Sequence, residues 1–483
     1  MYGEKQIEFL ERKHYLQEGE TLAQKLNHIA DTVRLYEKDY STGLADRIKG
    51  YIEKQIFIPS TPQWTNFGKR KVKGSTPLPA SCYILGVQNS VQGIYYSLGE
   101  AAMMSKLGGG VGADYTAVYN KGTKVEEGFY TNSKLDWMED IARAGQKISQ
   151  GSSRRGYVVP FISIKDTEYY DLLARADKKN PDNKDPFVDN NVGILLPKGF
   201  WVEIMTDKEL QKRFLDLMKI RQSSGKVYII DEDNCDKNKS PVYEKLGHTP
   251  SSSNICTEAL TPIYPDKSFV CMLSSLNLKH WDVIKKNPQI IKDALMFLDI
   301  NVSEYIKLTD GIQFLEKARK SCIEKRDIGL GTLGFHELLQ MKGFSFGGLD
   351  SRRLNKEIYS TIRKNAEEYA LEIGTKLGSP KMCEEVGLVR RNVSMMMIAP
   401  NKSCTTPDTK FLDENNKCMD YYQFCKNGGL DLEEIMSIKI ELENGDVLKF
   451  KHDDQITVTR NNIKIVIGAS EIEDTDEICV QNV

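Results

Sequence analysis

The chain has 483 residues, 40% hydrophobic and 28% charged, so it can bury a large core and is long enough for two or three domains. Its formal charge of −2 gives no basic excess, which argues against a sequence-independent grip on nucleic acid, and no run of about 18 apolar residues favours a membrane span. Ten cysteines are too few for a disulfide scaffold of this length, and the charged N-terminus lacks a signal-peptide pattern, so we predict a cytoplasmic protein.

A helical segment over residues 1–58 is the first predicted element. Apolar residues such as Ile7, Leu10 and Leu22 recur there at helical spacing in a charged background.

Residues 59–403 alternate between strand-like and helical patterns, which is typical of an α/β barrel or an open α/β sheet. We therefore predict one domain of the α/β class. The strand-like runs are Cys82–Leu85, Tyr157–Ile162, Val192–Leu196, Val227–Ile230, Asn254–Leu260 and Phe269–Leu276, and one helical stripe consists of Leu354, Ile358, Ile362 and Ala366.

The pattern changes in residues 404–483. Apolar residues alternate with polar ones from Ile438 to Leu442 and again at Leu448 and Phe450, on either side of Asn444-Gly445. That dipeptide is a strong signal for a two-residue hairpin turn, so the third predicted domain is small and all-β.

Five residues are candidates for chemistry. In the stretch SNICTEAL, Asn254, Cys256 and Glu258 occupy every second position, and on an extended strand their side chains would share one face. Three polar groups facing a core need partners, which favours a functional site. Cys82 and Cys271 lie in apolar runs, where a cysteine taken alone is more often a small core residue.

Taken together, the motifs resemble the large, catalytic subunit family of ribonucleotide reductases. They occur in unbroken order within roughly residues 59–403, as SSGKVYIIDEDN, SNICTEAL, CMLSSLNL, RDIGLGTLGFHELL and RRNVSMMMIAPNKS. The resemblance implies a ten-stranded α/β barrel around a finger loop, here incomplete at its C-terminal end. It also implies reduction of ribonucleotides to deoxyribonucleotides by radical chemistry.

The resemblance assigns a role to each of the five residues. Cys256 would be a thiyl radical that abstracts hydrogen from the ribose 3′ carbon, Glu258 the general base for the 3′-hydroxyl proton, and Asn254 a hydrogen-bond partner of the substrate hydroxyls. Cys82 and Cys271 would supply two electrons and close to a disulfide, which requires Cα atoms within about 6 Å of each other.

The same resemblance implies nucleotide contacts. The substrate would lie against Thr61, Ser81 and Gly110, and its phosphates against the IAPNKS segment, through Asn401, Lys402 and Ser403. LGGGVGADY, which contains Gly110, lacks the spacing of a dinucleotide-binding fingerprint. A deoxynucleoside triphosphate or ATP effector would bind at a homodimer interface beside Asn89, Ser90 and Val91, and either Arg154 or Arg155 would be the arginine of the loop that relays its signal.

By the same resemblance the chain itself holds no metal. Its radical would come from a metal-containing small subunit, and thioredoxin or glutaredoxin would reduce the cysteine pair. We expect no nucleic-acid or membrane partner and, with little sequence ahead of residue 59, no N-terminal activity-switch domain.

Residues 404–483 resemble the N-terminal half of a split intein, beginning with CTTPDTKFLDENN. In that reading Cys404 is the splicing nucleophile, which forms a thioester at the Ser403–Cys404 junction. The second block lacks the usual TxxH, because Lys451 and Asp454 occupy those places, so a degenerate tail or a frameshifted end stays an alternative to an active intein half. A second polypeptide would then supply the C-terminal part of the barrel, and a split gene of this kind suggests a virus.

Two alternatives stay open on sequence alone. One is a catalytically incomplete fragment whose only activity is intein-type splicing. The other is a cobalamin-dependent reductase, which needs no small subunit.

Overall fold

The computed structural model describes residues 4–12, 15–69, 77–127, 129–148, 156–177 and 185–399, together with short strands between residues 411 and 478. Contacts divide the chain into two compact units, Met1–Asn401 and Lys402–Val483. This boundary lies two residues before the one predicted between residues 403 and 404, and the helices of residues 1–58 belong to the first unit.

The N-terminal residues are mainly helical, as their spacing indicates. The second helix begins at a capping box, in which the Thr21 hydroxyl accepts a hydrogen bond from the Gln24 N–H at 3.2 Å, and it buries Leu26, Ile29 and Val33. The elements are α1 (Glu4–Arg12), α2 (Leu22–Arg34), α3 (Leu44–Glu53), β1 (Phe57–Pro59) and α4 (Thr61–Asn66).

Within the described residues the central sheet has six strands, of which five are parallel and follow the order β2-β3-β6-β7-β8. Most residues of the first four of these strands are buried, as is typical of a parallel sheet with both faces covered. The strands are β2 (Cys82–Gly86), β3 (Gly110–Asp114), β6 (Val158–Ser163), β7 (Gly193–Leu196) and β8 (Tyr228–Asp231), with a separate pair β4 (Lys124–Glu126) and β5 (Phe129–Tyr130). The helices of this part are α5 (Val91–Lys106), α6 (Lys134–Lys147), α7 (Tyr169–Ala176), α8 (Pro186–Asp189), α9 (Phe200–Glu203), α10 (Lys208–Ser224), α11 (Glu232–Lys237) and α12 (Pro241–Leu246).

The chain passes from the central sheet into a second sheet at Met272. β11 (Phe269–Cys271) pairs antiparallel with β2, and after Met272 the chain continues as β12 (Leu273–Asn277), which lies between β1 and the parallel strand β13 (Gly329–Leu333). Two short strands, β9 (Ser252–Ser253) and β10 (Leu260–Thr261), pair with each other. The helices are a 3-10 turn (Leu278–His280), α13 (Trp281–Lys286), α14 (Gln289–Leu308), α15 (Glu316–Lys325), α16 (Phe335–Lys342), α17 (Leu349–Leu377) and α18 (Lys381–Glu384).

The predicted α/β class is confirmed, whereas the count of ten strands stays a prediction. The predicted stripe on α17 is buried at Leu354, Ile358, Ile362 and Ala366. Within the described ranges, no helix combines the length and apolar character needed to cross a membrane.

The described elements of the second unit are all strands, in line with the all-β prediction. β16 and β17 form the predicted antiparallel hairpin, with Ile438 opposite Phe450 and Ile440 opposite Leu448, and its Asn444-Gly445 turn lies outside the described residues. The strands are β14 (Phe411–Leu412), β15 (Cys418–Met419), β16 (Ser437–Glu441), β17 (Val447–Lys451), β18 (Gln455–Arg460), β19 (Ile463–Gly468) and β20 (Glu477–Ile478).

A buried carboxylate on α14 joins distant parts of the first unit. Asp299 is fully buried and accepts hydrogen bonds from Arg326 Nε at 2.8 Å, Arg391 Nε at 2.9 Å, Asn392 Nδ2 at 2.9 Å and the Tyr40 hydroxyl. Burial alone would raise the pKa of Asp299, but the two guanidinium groups outweigh it and lower the pKa to about 2.

Replacement of Asp299 by asparagine is expected to destabilise this unit by about 3–5 kcal/mol, because it leaves two largely buried guanidinium groups without a counter-charge. Since folding lowers the pKa of the carboxyl, its contribution is present above the unfolded value of about 3.9 and is lost as the pH falls towards 2. Urea unfolding between pH 3 and 7 measures both effects. Asp350→Asn, which removes an exposed ion pair with Arg353, is the matched control and should cost under about 1 kcal/mol.

Candidate active site

The segment between Ser253 and Leu260 is a tight loop, so the strand predicted over Asn254–Leu260 is wrong. Thr257 has a φ of 63°, in the left-handed region, and its N–H donates to the Asn254 carbonyl at 3.2 Å. A residue in this conformation reverses the chain direction and ends the extended run. The alternation of polar residues therefore places them on a loop tip rather than on one face of a strand.

The side chain of Asn254 closes this loop from inside. Asn254 is fully buried, and its Oδ1 accepts a hydrogen bond from the Ala259 N–H at 3.1 Å, while the Ser253 hydroxyl donates to the Ala259 carbonyl at 2.7 Å. Its Nδ2 has no partner in the described part of the chain. A buried amide donor of this kind is suited to a polar ligand.

Two glycines on β3 let the loop approach the sheet. A Cβ on Gly110 would lie 2.2 Å from Ile255 Cδ1, and a Cβ on Gly112 would lie 1.9 Å from the Ser253 carbonyl oxygen and 3.1 Å from Asn254 Cα. At Gly112 the obstacle is backbone, which cannot rotate away. Because Gly110 and Gly112 carry no side chain, the loop can pack directly on β3.

We expect Gly112→Ala to displace the loop while the sheet still forms. Because a misplacement of about 1 Å can cost roughly 100-fold in rate, turnover of the assembled enzyme proposed below should fall by that order. Gly50→Ala on α3 is the control, since its Cβ would meet nothing within 4 Å. Equal turnover in the two variants would show that the Gly112 contact is unimportant.

Cys82 and Cys271 lie directly opposite each other where β2 pairs with β11. Directly opposed residues of antiparallel strands have Cα atoms about 4.5–5.5 Å apart, within the roughly 4.4–6.8 Å that a disulfide spans. Both side chains are buried thiols. The strand pairing thus provides the proximity that a Cys82–Cys271 disulfide requires.

The surroundings of Cys271 favour the thiol over the thiolate. Burial raises the pKa of Cys271 well above its usual value, and the nearby Glu258 carboxylate and the sulfurs of Cys82 and Cys256 raise it further. The Cys271 Sγ also lies 3.9 Å from the Sδ of Met397. The three cysteines and the glutamate therefore form one electrostatic group.

A cavity of about 290 Å³ is lined by Cys82, Cys256 and Glu258, whereas Cys271, Asn254 and Gly110 are not part of its lining. Cys256 and Glu258 line it from the loop, and Cys82 and Ser81 from the start of β2. Thr61 lines the cavity from α4, and its hydroxyl lies 3.3 Å from the Tyr15 hydroxyl. The remaining wall consists of Ile58, Pro59, Ser60, Pro62, Leu273, Ser274, Ser275, Leu333 and Ala399.

The residues proposed to contact an effector lie elsewhere, at the start of α5. Ser90 is its N-cap and accepts a hydrogen bond from the Gly93 N–H at 3.0 Å, whereas Asn89 accepts one from the Tyr119 N–H at 3.1 Å. Val91 is exposed over 66% of its surface. None of the three lines the cavity, so a ligand here would act on the site from a distance.

Several predicted residues lie outside the described part of the chain. These are Arg154 and Arg155 of the relay loop, Asn401, Lys402 and Ser403 of the phosphate segment, and the splicing nucleophile Cys404. Among the described residues, no group of three or more His, Cys, Asp or Glu side chains has the arrangement of a metal site.

Sequence reasoning assigned no role to Met397 and overlooked the importance of Gly112. Both lie inside quoted motifs, Met397 in RRNVSMMMIAPNKS and Gly112 in LGGGVGADY. The signal for Gly112 was the run of glycines itself, which marks close approach of another backbone. No pattern in the sequence predicts that one of three consecutive methionines touches a cysteine.

Comparison with protein families gives one match, to the family described as "Ribonucleotide reductase, barrel domain", over residues 80–214 and 209–385. Among solved structures, the class Id ribonucleotide reductase alpha subunit of Actinobacillus ureae is similar, with a TM-score of 0.74 and 28% identity. It covers 83% of this chain and 72% of that one.

Curated relatives include ribonucleoside-diphosphate reductase large subunits of viruses. The protein of Invertebrate iridescent virus 3 is 24% identical over 74% of this chain, and a putative large subunit of Frog virus 3 is 24% identical over 75%. The protein of Invertebrate iridescent virus 6 is 32% identical over 39% of this chain. This chain spans 65% of the length of the first two relatives.

Proposed function

The chain belongs to the ribonucleotide reductase family, and from this premise we propose that it provides the catalytic thiol site for reducing ribonucleoside phosphates, most simply diphosphates, to deoxyribonucleotides. The observation that carries the proposal is the convergence of Cys82, Cys256 and Glu258 on one cavity, with Cys271 directly opposite Cys82.

The first half of the proposed reaction takes place at the loop tip. Cys256, as a thiyl radical, abstracts the hydrogen atom of the ribose 3′ carbon and becomes a thiol. Glu258 accepts the proton of the 3′-hydroxyl as general base. The Nδ2 of Asn254, which has no partner among the described residues, is the donor to a substrate hydroxyl. The 2′-hydroxyl then leaves as water.

The second half takes place at the strand pair. Cys82 and Cys271 together deliver two electrons and two protons to the substrate and its leaving group, and they close to a disulfide. Cys256 returns its hydrogen to the 3′ carbon and is a radical again, and Glu258 returns its proton to the 3′ oxygen. Because the two strands already hold the sulfurs side by side, closure requires side-chain rotation rather than a change of fold.

Partners complete the proposed enzyme. A metal-containing small subunit supplies the radical, and thioredoxin or glutaredoxin reduces the disulfide, all in the cytoplasm. The chain acts as a homodimer, with a deoxynucleoside triphosphate or ATP at Asn89, Ser90 and Val91 and with Arg154 or Arg155 in the relay loop. Asn401, Lys402 and Ser403 hold the substrate phosphates.

Residues 404–483 are proposed to act as the N-terminal half of a split intein. Support comes from the intein-like sequence that begins at Cys404 and from the strands of the second unit. Trans-splicing would join Ser403 to a second polypeptide that carries the rest of the barrel.

Co-expression with the adjacent reading frames, followed by intact-mass measurement and a reductase assay, tests this function. We expect a ligated product without residues 404–483 that forms deoxyribonucleotide when the small subunit is added. Two unligated chains with reductase activity would support assembly without splicing. A ligated product without reductase activity would leave splicing as the only function.

A further inference from the structure

A buried lysine outside the cavity contacts the stem of the loop. Lys325, the last residue of α15, has a side chain only 1% exposed, and its Nζ lies 2.9 Å from Asp327 Oδ2. The same Nζ donates to the hydroxyl of Thr261 at 3.0 Å. An ammonium group removed from water is tolerated only with such partners, so this site is built around the charge.

Aromatic rings complete the surroundings of this ammonium. The centroids of Tyr243, Tyr264 and Phe269 each lie 5.4 Å from Lys325 Nζ, a distance at which a cation is attracted to the face of a ring. Phe269 is the first residue of β11, the strand that carries Cys271. The lysine therefore touches both the loop stem and the cysteine strand.

Lys325 and Asp327 also accept hydrogen bonds from a third chain segment. The Lys325 carbonyl accepts the Val393 N–H at 3.0 Å, and Asp327 Oδ1 accepts the Ser394 N–H at 3.0 Å. This segment continues to Ala399, which lines the cavity. One buried ion pair thus connects three segments that converge on the candidate active site.

We propose that Lys325 is a positioning residue. Acting through Thr261, it fixes the distance between the loop tip and the cysteine pair. Thr261 lies three residues after Glu258 and pairs with Ser252, so a shift at Thr261 moves both ends of the loop. Lys325 does not line the cavity and is not a catalytic residue. The role in turnover rests on the proposed function, but the positioning itself does not.

Thr261→Val leaves both the ion pair and the volume intact and removes the hydroxyl, which also lies 3.3 Å from the Tyr243 hydroxyl and donates to the Pro262 carbonyl at 3.2 Å. The readout is the rate at which iodoacetamide alkylates Cys256 in the full 483-residue chain, followed peptide by peptide with mass spectrometry. Cys256 is partly exposed, whereas Cys322 and Cys383 are buried and report unfolding. We expect Cys256 to react at least roughly fivefold faster, the equivalent of about one net hydrogen bond among the three that the hydroxyl makes, with Cys322 and Cys383 unchanged.

Thr309→Val is the matched control, since it removes another buried threonine hydroxyl, the one that donates to the Tyr305 carbonyl at 2.7 Å. It should leave the Cys256 rate unchanged.

A second pair of variants removes charge instead. Lys325→Met/Asp327→Asn deletes the ion pair beside the loop, and Lys134→Met/Asp166→Asn deletes an equally buried pair elsewhere, with 2.8 Å between Lys134 Nζ and Asp166 Oδ2. Only the first double variant should accelerate the alkylation of Cys256.

An unchanged Cys256 rate in Thr261→Val would overturn the proposal. Equal acceleration at Cys322 and Cys383 would overturn it as well, because the lysine would then stabilise the fold in general. In the assembled enzyme, Thr261→Val should lower kcat and leave KM unchanged. Since alkylation needs no turnover, a reductase that proves inactive would contradict the proposed function without affecting this result.

Discussion

Cys256→Ser is expected to abolish deoxyribonucleotide formation by the assembled enzyme, with a loss of at least about three orders of magnitude, as when a reacting group is removed. The proposed chemistry needs a side chain that gives up and regains a hydrogen atom, which a thiol does and a hydroxyl does not. The substitution changes one atom on a partly exposed turn, so the fold and binding of an effector at Asn89 should persist.

A matched control separates the thiol from the packing of the loop. Cys235 is buried in a cluster with Ile255 and Leu260 and does not line the cavity that contains Cys256. Cys235→Ser should therefore retain turnover of the wild-type order. Deoxyribonucleotide formation by Cys256→Ser would falsify the assignment of the radical to this residue.

The second large effect concerns the strand pair. Mild oxidation of the chain is expected to link Cys82 to Cys271, and Cys271→Ser should prevent that link and reduce steady-state turnover to near background. Because the pKa of Cys271 lies well above its usual value, its thiolate is scarce at neutral pH. The rate at which Cys271 resolves a mixed disulfide on Cys82 should therefore rise about tenfold per pH unit through the neutral range.

Peptide mapping under non-reducing conditions at several pH values measures this closure. Cys383→Ser is the control, because Cys383 is a buried cysteine that packs with Val242 and Met382 rather than with Cys82. A disulfide between Cys256 and either partner, in place of the Cys82–Cys271 link, would contradict the assignment. So would a closure rate that does not change with pH.

The sequence predicted the α/β class correctly, but it gave the wrong local structure for the loop. Asn254, Cys256 and Glu258 alternate as strand residues do, and nothing in that alternation reveals the positive φ of Thr257. The deciding contacts are long-range. Gly112 on β3 receives the backbone of Ser253, and this meeting depends on how the sheet is assembled.

The sequence also did not predict the contacts of the buried charged residues. Asp299 and Arg326 are 27 positions apart, and Lys325 meets Thr261 across 64 positions. Charged residues are usually exposed. The sequence alone therefore does not show which of them are buried or which residues they contact. The sequence motifs support a hypothesis about which residues react, whereas the residues that position them depend on tertiary packing.

The most direct test of the central claim is a single-turnover measurement with pre-reduced, assembled enzyme and no external reductant. Deoxyribonucleotide is quantified alongside the disulfide state of Cys82 and Cys271 in the same quenched samples. The account predicts one Cys82–Cys271 disulfide for each deoxyribonucleotide formed. Product that accumulates while both thiols remain open to alkylation would contradict it.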